Sequence, residues 1–353
     1  MQLPSAAFAF QTVGTPVSCK EFGSGHINTT LKVETDAGRT YILQRINQYV
    51  FQKPVQVMEN AQAITEHLRK KDPDPRHTIH FTTANDGLCY HFDEDGEFWR
   101  MYEFVDGVSL DAPESETDFY QSALAFGNFQ TLLADFPAES LHVTIPNFHN
   151  TVDRYRLLRE SIEADPCGRL KDVTAEVEFL MRHELLACTL QRMLEQGMLP
   201  LRVTHNDTKL NNVLLDETTR EYLCVLDLDT VMPGLSLYDY GDSIRFGAAS
   251  TGVEESQDIC LDLHLFEVYT RGFLSAASLT DTELEMLPLS AIAITIELAT
   301  RFLKDHLDGD RYFKISYPNQ NLARTRGQIR LAADMLRKLD DMCDIVDKIL
   351  EEK

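Results

Sequence analysis

Basic residues are scarce in this chain. Lys and Arg number 33 against 56 Asp and Glu, a formal net charge of −23 over 353 residues. Nucleic acid and anionic membrane surfaces recruit basic patches, so neither is expected as a partner. Any triphosphate bound here must be met by cations gathered locally. Paired cysteines are missing as well. The seven present (19, 89, 167, 188, 224, 260 and 343) are odd in number and scattered, with no C-x-x-C pair. That excludes a disulfide or zinc framework and suits a reducing compartment. No apolar run approaches the ~18 residues of a membrane span, and the longest, Leu287–Ile296, is much shorter. The opening M-Q-L-P-S-A-A-F-A-F has no basic n-region, so no signal peptide and a cytoplasmic location are expected. Repeats and low-complexity segments are also absent.

What is present is ordinary for a globular protein, with 43% hydrophobic and 25% charged residues. The length exceeds the ~250–300 residues at which a single core usually splits, so two lobes are expected.

Residues Thr204–Asp229, T-H-N-D-T-K-L-N-N-V-L-L-D-E-T-T-R-E-Y-L-C-V-L-D-L-D, carry the chemistry. Phosphoryl transfer needs a carboxylate to orient and deprotonate a hydroxyl, and oxygen ligands for the Mg²⁺ that neutralises a triphosphate. Asp207, Asn212 and Asp227 supply those groups. Val213–Leu215 and Tyr222–Leu226 are short apolar runs around the polar D-E-T-T-R-E and predict a hairpin. Its two ends then bring His205–Asn212 close to Asp227. Asp207 is the expected base, and Asn212 and Asp227 the expected metal ligands, the alternative being a turn-stabilising pair. Lys209 either meets charge on the transferring phosphoryl group or pairs with nearby acids. His205 reads as a strut that orients the loop. Asp229 and Asp242 read as braces or sugar ligands.

Upstream, two alternating strands are expected at about Asn28–Glu34 and Thr40–Ile46, joined by D-A-G. Gly23 and Gly25 precede them and let backbone amides approach a phosphate without a Cβ in the way. Pro54–Lys71 carries a helical stripe, and Leu88–Phe92 and Glu97–Val105 read as strands around D-E-D-G. Residues 1–18 predict a short helix or strand covering this first lobe. Backbone groups at Tyr102, Glu103 and Phe104 are the expected adenine contacts. Helices follow at Ser115–Asp135, Val173–Gln196, Ile259–Leu274, Thr282–Leu307 and about Leu322–Leu350. The expected class is α+β with a kinase-like bilobal plan. A small antiparallel lobe with one helix spans residues 1–107, and a larger helical lobe spans 108–353. The second Asp lies in L-D-L-D, and little chain follows before the next helical region, which leaves no room for a protein kinase's activation loop.

The motifs H-N-D-T-K-L-N-N and L-D-L-D resemble those of the aminoglycoside phosphotransferase and choline kinase superfamily. G-S-G-H-I-N-T-T, Y-I-L-Q, L-D-L-D-T-V-M-P-G, D-Y-G-D-S-I-R-F-G, G-D-x-Y-F and Y-P-x-x-N-L-x-R-T-R resemble the N-acetylhexosamine 1-kinases, and they are spread from residue 23 to 326. The resemblance implies transfer of phosphate from ATP, with Mg²⁺, to the anomeric hydroxyl of N-acetylglucosamine or N-acetylgalactosamine. It implies a sugar pocket using His26, Asp207, Phe246, Arg301 and Tyr312. Where the wider superfamily carries Lys or Arg on the third strand, this chain has Gln44, which can hydrogen-bond a phosphate oxygen. Arg324, Arg326 and Arg330 on the last helix form either a solvated face or a phosphate-attracting one. The alternatives are another small-molecule kinase (for choline, homoserine, methylthioribose or a different sugar) and a nucleotide-binding pseudokinase.

Overall fold

The computed structural model describes residues 2–23, 27–251 and 253–352. Its N-terminal part is an antiparallel sheet of β1 (Pro16–Glu21), β2 (Thr29–Thr35), β3 (Thr40–Arg45), β4 (His91–Phe92) and β5 (Phe98–Glu103), in the order β1-β2-β3-β5-β4. One helix, α1 (Pro54–Lys71), crosses it, with the bounds that its apolar stripe predicts. The edge strand β1 was not anticipated as a separate strand. Only Pro16 and Cys19 of its six residues are buried, so the two-residue alternation that marks a strand is weak there.

The sheet's two faces do different work, because strand side chains alternate. Leu31, Val33, Tyr41, Leu43, Trp99 and Met101 face outward and are covered by Ala6, Ala7 and Phe10 around a short helical turn at Ser5–Ala9. The other face carries Thr30, Lys32, Ile42, Gln44, Arg100 and Tyr102 in paired rows. That face looks onto the rest of the molecule.

The larger part is helical: α2 (Glu116–Leu132), α3 (Thr151–Ala164), α4 (Thr174–Ala187), α5 (Thr189–Glu195), α6 (Ser236–Gly247), α7 (Leu263–Ala276), α8 (Asp281–Glu285), α9 (Leu287–Leu307), α10 (Gln320–Arg337) and α11 (Leu339–Glu351). Ser115 caps α2 in a reciprocal box with Asp118, as the S-x-x-D start predicts. Three expected long helices are each divided, at Cys188, Met286 and Lys338. At Met286 the reason is Pro288, which is tolerated only in a helix's first turn. Two helices, α3 and α6, were not anticipated. In α3 the buried stripe is only Thr151, Tyr155, Leu158 and Ser161 within a charged sequence. Helix α9 is buried almost all round and forms the central post. Among the described residues no helix is long and apolar enough to cross a membrane.

Short strands β6 (Arg202–Thr204), β7 (Val213–Leu215), β8 (Tyr222–Val225) and β9 (Met232–Gly234) form two ribbons, β6–β9 and β7–β8. Arg202, which opens β6, is held bidentately by Glu283 at 2.7 and 2.6 Å. Glu283 is 1% exposed and also caps α8 with Thr280. Desolvation works against its charge, but Arg202 and the Thr280 N–H outweigh that and hold the carboxyl below its ordinary 4.5. Breaking such a pair strands a charge. Glu283→Ala is therefore expected to lower unfolding free energy by about 3 kcal/mol in urea titrations. Because the folded value is depressed, this stabilisation is present above pH 4.5 and disappears as pH falls through the lower value.

Candidate active site

The loop 205–212 runs between β6 and β7, and Asp227 follows β8. Val213 pairs with Val225, so the hairpin joins the two ends. The peptide of Leu226 is pinned from both sides. Its N–H donates to the Asn212 carbonyl at 2.8 Å, and its carbonyl accepts from His205 Nε2 at 2.8 Å. His205 Nδ1 accepts the Asp207 N–H at 3.3 Å. A backbone N–H only donates and a carbonyl only accepts, so the ring is the neutral Nε2–H tautomer. His205 is thus a strut between the loop and the strand that carries Asp227.

Asn212 Nδ2 donates to the Asp207 carbonyl at 2.8 Å and reaches Asp207 Oδ2 at 3.3 Å. Lys209 Nζ pairs with Asp207 Oδ1 at 2.9 Å. Desolvation opposes the ammonium charge, but Asp207 and then Asp242 outweigh it and raise Lys209 above its ordinary value. Of the two roles open to Lys209, the ion pair is the one visible, and its partner is the expected base itself. Asp227 and Asn206 both adopt left-handed backbone, with φ of +53° and +65°. Such conformations persist where surrounding bonds hold them, and Asn206 is held by the Thr204 and Thr230 carbonyls.

The brace beneath this loop is Asp239 of α6, which was not singled out from the sequence. Its carboxyl oxygens accept the N–H groups of His205 at 2.8 Å and Asn206 at 2.7 Å, and its carbonyl accepts the Thr208 hydroxyl. An acid in the first turn of α6 was the available signal, but that helix was not anticipated. Asp239→Ala leaves the buried N–H groups of His205 and Asn206 and the Gln130 amide without their acceptor. It is expected to cost on the order of 2–5 kcal/mol in denaturant unfolding and roughly 10- to 100-fold in kcat through displacement of Asp207.

Asp229 is 2% exposed. It pairs with Arg100 of β5 and accepts from Asn28 Nδ2 at 2.7 Å. Gln44 is committed too: Oε1 accepts Arg100 Nε at 2.9 Å, and Nε2 donates to Thr30 Oγ1 at 3.0 Å. Its carbonyl oxygen therefore orients Arg100, and one of its two amide protons is given to Thr30. The N–H groups of Glu103 and Phe104 are taken by the carbonyls of His80 and Thr40. Neither amide remains for adenine, and Tyr102 packs edge-on against Phe81. Phe104 packs against Lys32 and Phe22, with Lys32 Nζ 3.6 Å from its ring centroid and Phe22 edge-on at 5.6 Å. Gly23, at φ +79°, has open space where a Cβ would stand. Gly25 and His26 lie outside the described residues.

Beyond Asp207 and Lys209 the helical part encloses a cavity of about 450 Å³, within the ~300–1,000 Å³ of small-ligand sites. Phe246 and Arg301 line it, as do Phe148, Phe302 and Phe313. Tyr312 does not. It is 67% exposed on the outer surface, and its neighbour Phe313 enters the cavity instead. The Arg301 guanidinium lies over Phe148 and Phe313, 5.1 and 5.6 Å from their centroids. Each carboxylate in the wall has a cationic or histidine partner. Asp242 and Glu254 hold Arg245 at 2.9 Å each, and Glu297 holds His149 at 3.1 Å. Arg324 and Lys314 line the same cavity, while Arg326 pairs with Glu176 elsewhere and Arg330 lines a separate surface groove.

The profile of the phosphotransferase enzyme family matches residues 18–271 of this chain. The chain belongs to that family. Its fold is similar to an aminoglycoside phosphotransferase from Alicyclobacillus acidocaldarius, at 15% identity and TM-score 0.65 over 99% of this chain and 97% of that one. It is also similar to a microcompartment-associated aminopropanol kinase (18%, 0.63, over 92% and 93%). A Plasmodium vivax ethanolamine kinase matches at 16% and 0.56 over 91% of this chain and 84% of that one. The expected α+β, kinase-like architecture is thus borne out. The phosphotransferase's site also fits a magnesium ion. Desolvation and the charges of Asp229 and Asp207 push the Asp227 carboxyl up to about 7, an imbalance that a cation would relieve. Among the described residues no three His, Cys, Asp or Glu form a metal cluster. Mg²⁺ needs none, since it usually takes one or two carboxylates plus phosphates and water.

Proposed function

We propose that this phosphotransferase transfers the γ-phosphoryl group of ATP to the anomeric hydroxyl of N-acetylglucosamine or N-acetylgalactosamine. The motif set from residue 23 to 326 supports this reading, and one structural observation carries it: the acids of the acceptor cavity already have cationic or histidine partners. An aminoglycoside, ethanolamine or choline would need unpaired carboxylates to replace its hydration. A neutral, hydroxyl-rich acceptor suits Arg301, Lys314 and Arg324 as donors to hydroxyls and a carbonyl oxygen. The rings of Phe148, Phe246 and Phe313 suit the apolar face of a pyranose.

In this reading Asp207 accepts the proton of the C1 hydroxyl as that oxygen bonds to the γ-phosphorus. The bond from phosphorus to the β–γ bridging oxygen breaks, and ADP leaves. Lys209 holds Asp207 in place and offers positive charge to the transferring group. Asn212 and Asp227 would hold Mg²⁺, which neutralises triphosphate charge. The nucleotide-binding part is residues 1–107 and the acceptor-binding part 108–353. Incubating protein, ATP and Mg²⁺ with either sugar should produce a new anomeric phosphate signal in ³¹P NMR. No product with either sugar, together with turnover of choline, ethanolamine, homoserine or methylthioribose, would assign the cavity to that acceptor instead.

A further inference from the structure

The third strand lacks the cation that a triphosphate needs, yet a cation stands beside it. Arg100 of β5 lies in register opposite Gln44 of β3, on the sheet face that looks onto Asp227 and Asp229. It is 3% exposed. Its Nε is fixed by Gln44, its Nη1 by Asp229, and α1 meets it with Met58 at 3.8 Å and not with a carboxylate. The Nη2 donors have no acceptor among the described residues. Its charge also acts on Asp227, and that of Asp227 on it.

We propose that Arg100 is the nucleotide-phosphate cation of this chain, supplied from β5 and aimed by Gln44 and Asp229. A buried ion pair alone adds little stability over well-packed apolar residues, so stability does not account for keeping this one. A planar guanidinium with its Nε and Nη1 occupied is pre-organised, and its spare Nη2 protons suit a phosphate oxygen. The arrangement also explains the Gln at position 44. With the cation on the next strand, β3 supplies the group that orients it. The same pair ties the sheet to the segment after β8, so phosphate contact and the position of Asp227 are linked.

The proposal rests on the cleft binding a nucleotide, and binding tests it without any acceptor. Calorimetric titration should use Mg²⁺-ADP and, separately, adenosine, with wild type and Arg100→Gln. Arg100→Gln should weaken ADP by about 10- to 100-fold and leave adenosine within twofold. The double variant Arg100→Met/Asp229→Asn removes both charges together, so no lone buried ion opposes folding. It should show the same selective loss with a Tm close to wild type. A folded variant that keeps its ADP affinity, or loses ADP and adenosine affinity in equal proportion, overturns the proposal and leaves the pair a strut. Wild type that binds neither compound would overturn the nucleotide reading itself, a different result from loss in the variants alone.

Discussion

Asp207→Ala lowers kcat by about 10²–10⁴, the range a positioned base contributes, while the KM for nucleotide changes little. Two features make this residue the sensitive one. It is the carboxylate shared between the acceptor cavity and the loop, and Lys209 and Asn212 both hold its oxygens. Removing it also releases Lys209 from its only close ion pair among the described residues, so positive charge in the cavity rises. Product inhibition by a sugar phosphate should then tighten as turnover falls. Steady-state kinetics with the acceptor identified by ³¹P NMR measures both effects. A kcat reduced less than tenfold would remove Asp207 from the role of base and leave it a structural partner of Lys209.

Asp227→Asn is the second large effect. In the proposed reading Asp227 is a metal ligand, and a contribution of several kcal/mol corresponds to a loss on the order of 10³ in kcat. The same substitution acts in the opposite direction on the metal-free protein. The Asp227 carboxyl is raised from 3.8 to about 7, so its contribution to stability is present below 3.8 and is lost as pH rises through 7. Asparagine has no charge to lose. The metal-free variant should therefore melt above wild type at pH 8, with the gap closing toward pH 4. Mg²⁺ with ADP should raise the wild-type Tm at pH 8 and the variant's much less. Equal Tm values at pH 8 without metal would show that neither burial nor the Asp229 and Asp207 charges raise the Asp227 carboxyl.

The parts of the site that were legible in the sequence share one property: their partners are close in the chain. The β7–β8 hairpin spans residues 213–225, and its turn residues and apolar runs are visible directly. The α1 stripe is likewise local and set its own bounds. Other parts depended on which neighbour faces inward. At 312 and 313 two aromatic residues lie side by side, and only packing against Phe302, with centroids 4.6 Å apart, places Phe313 within. At position 44 the residue type was visible, but its partner Arg100 lies on another strand.

The sequence by itself determined the hairpin, the loop residues Asp207 and Asn212, the sheet strands around D-A-G and the acidic balance of −23. These follow from spacing, alternation and charge, which need no knowledge of distant chain. Tertiary structure alone decided what braces and charges the site. Asp229 meets Arg100 across 129 residues, Glu297 meets His149 across 148, and Asp239 reaches back 34 residues to His205. Buried carboxylates must find partners once water is gone, and which partner is nearest depends on how helices and sheet pack, a relation no local pattern encodes.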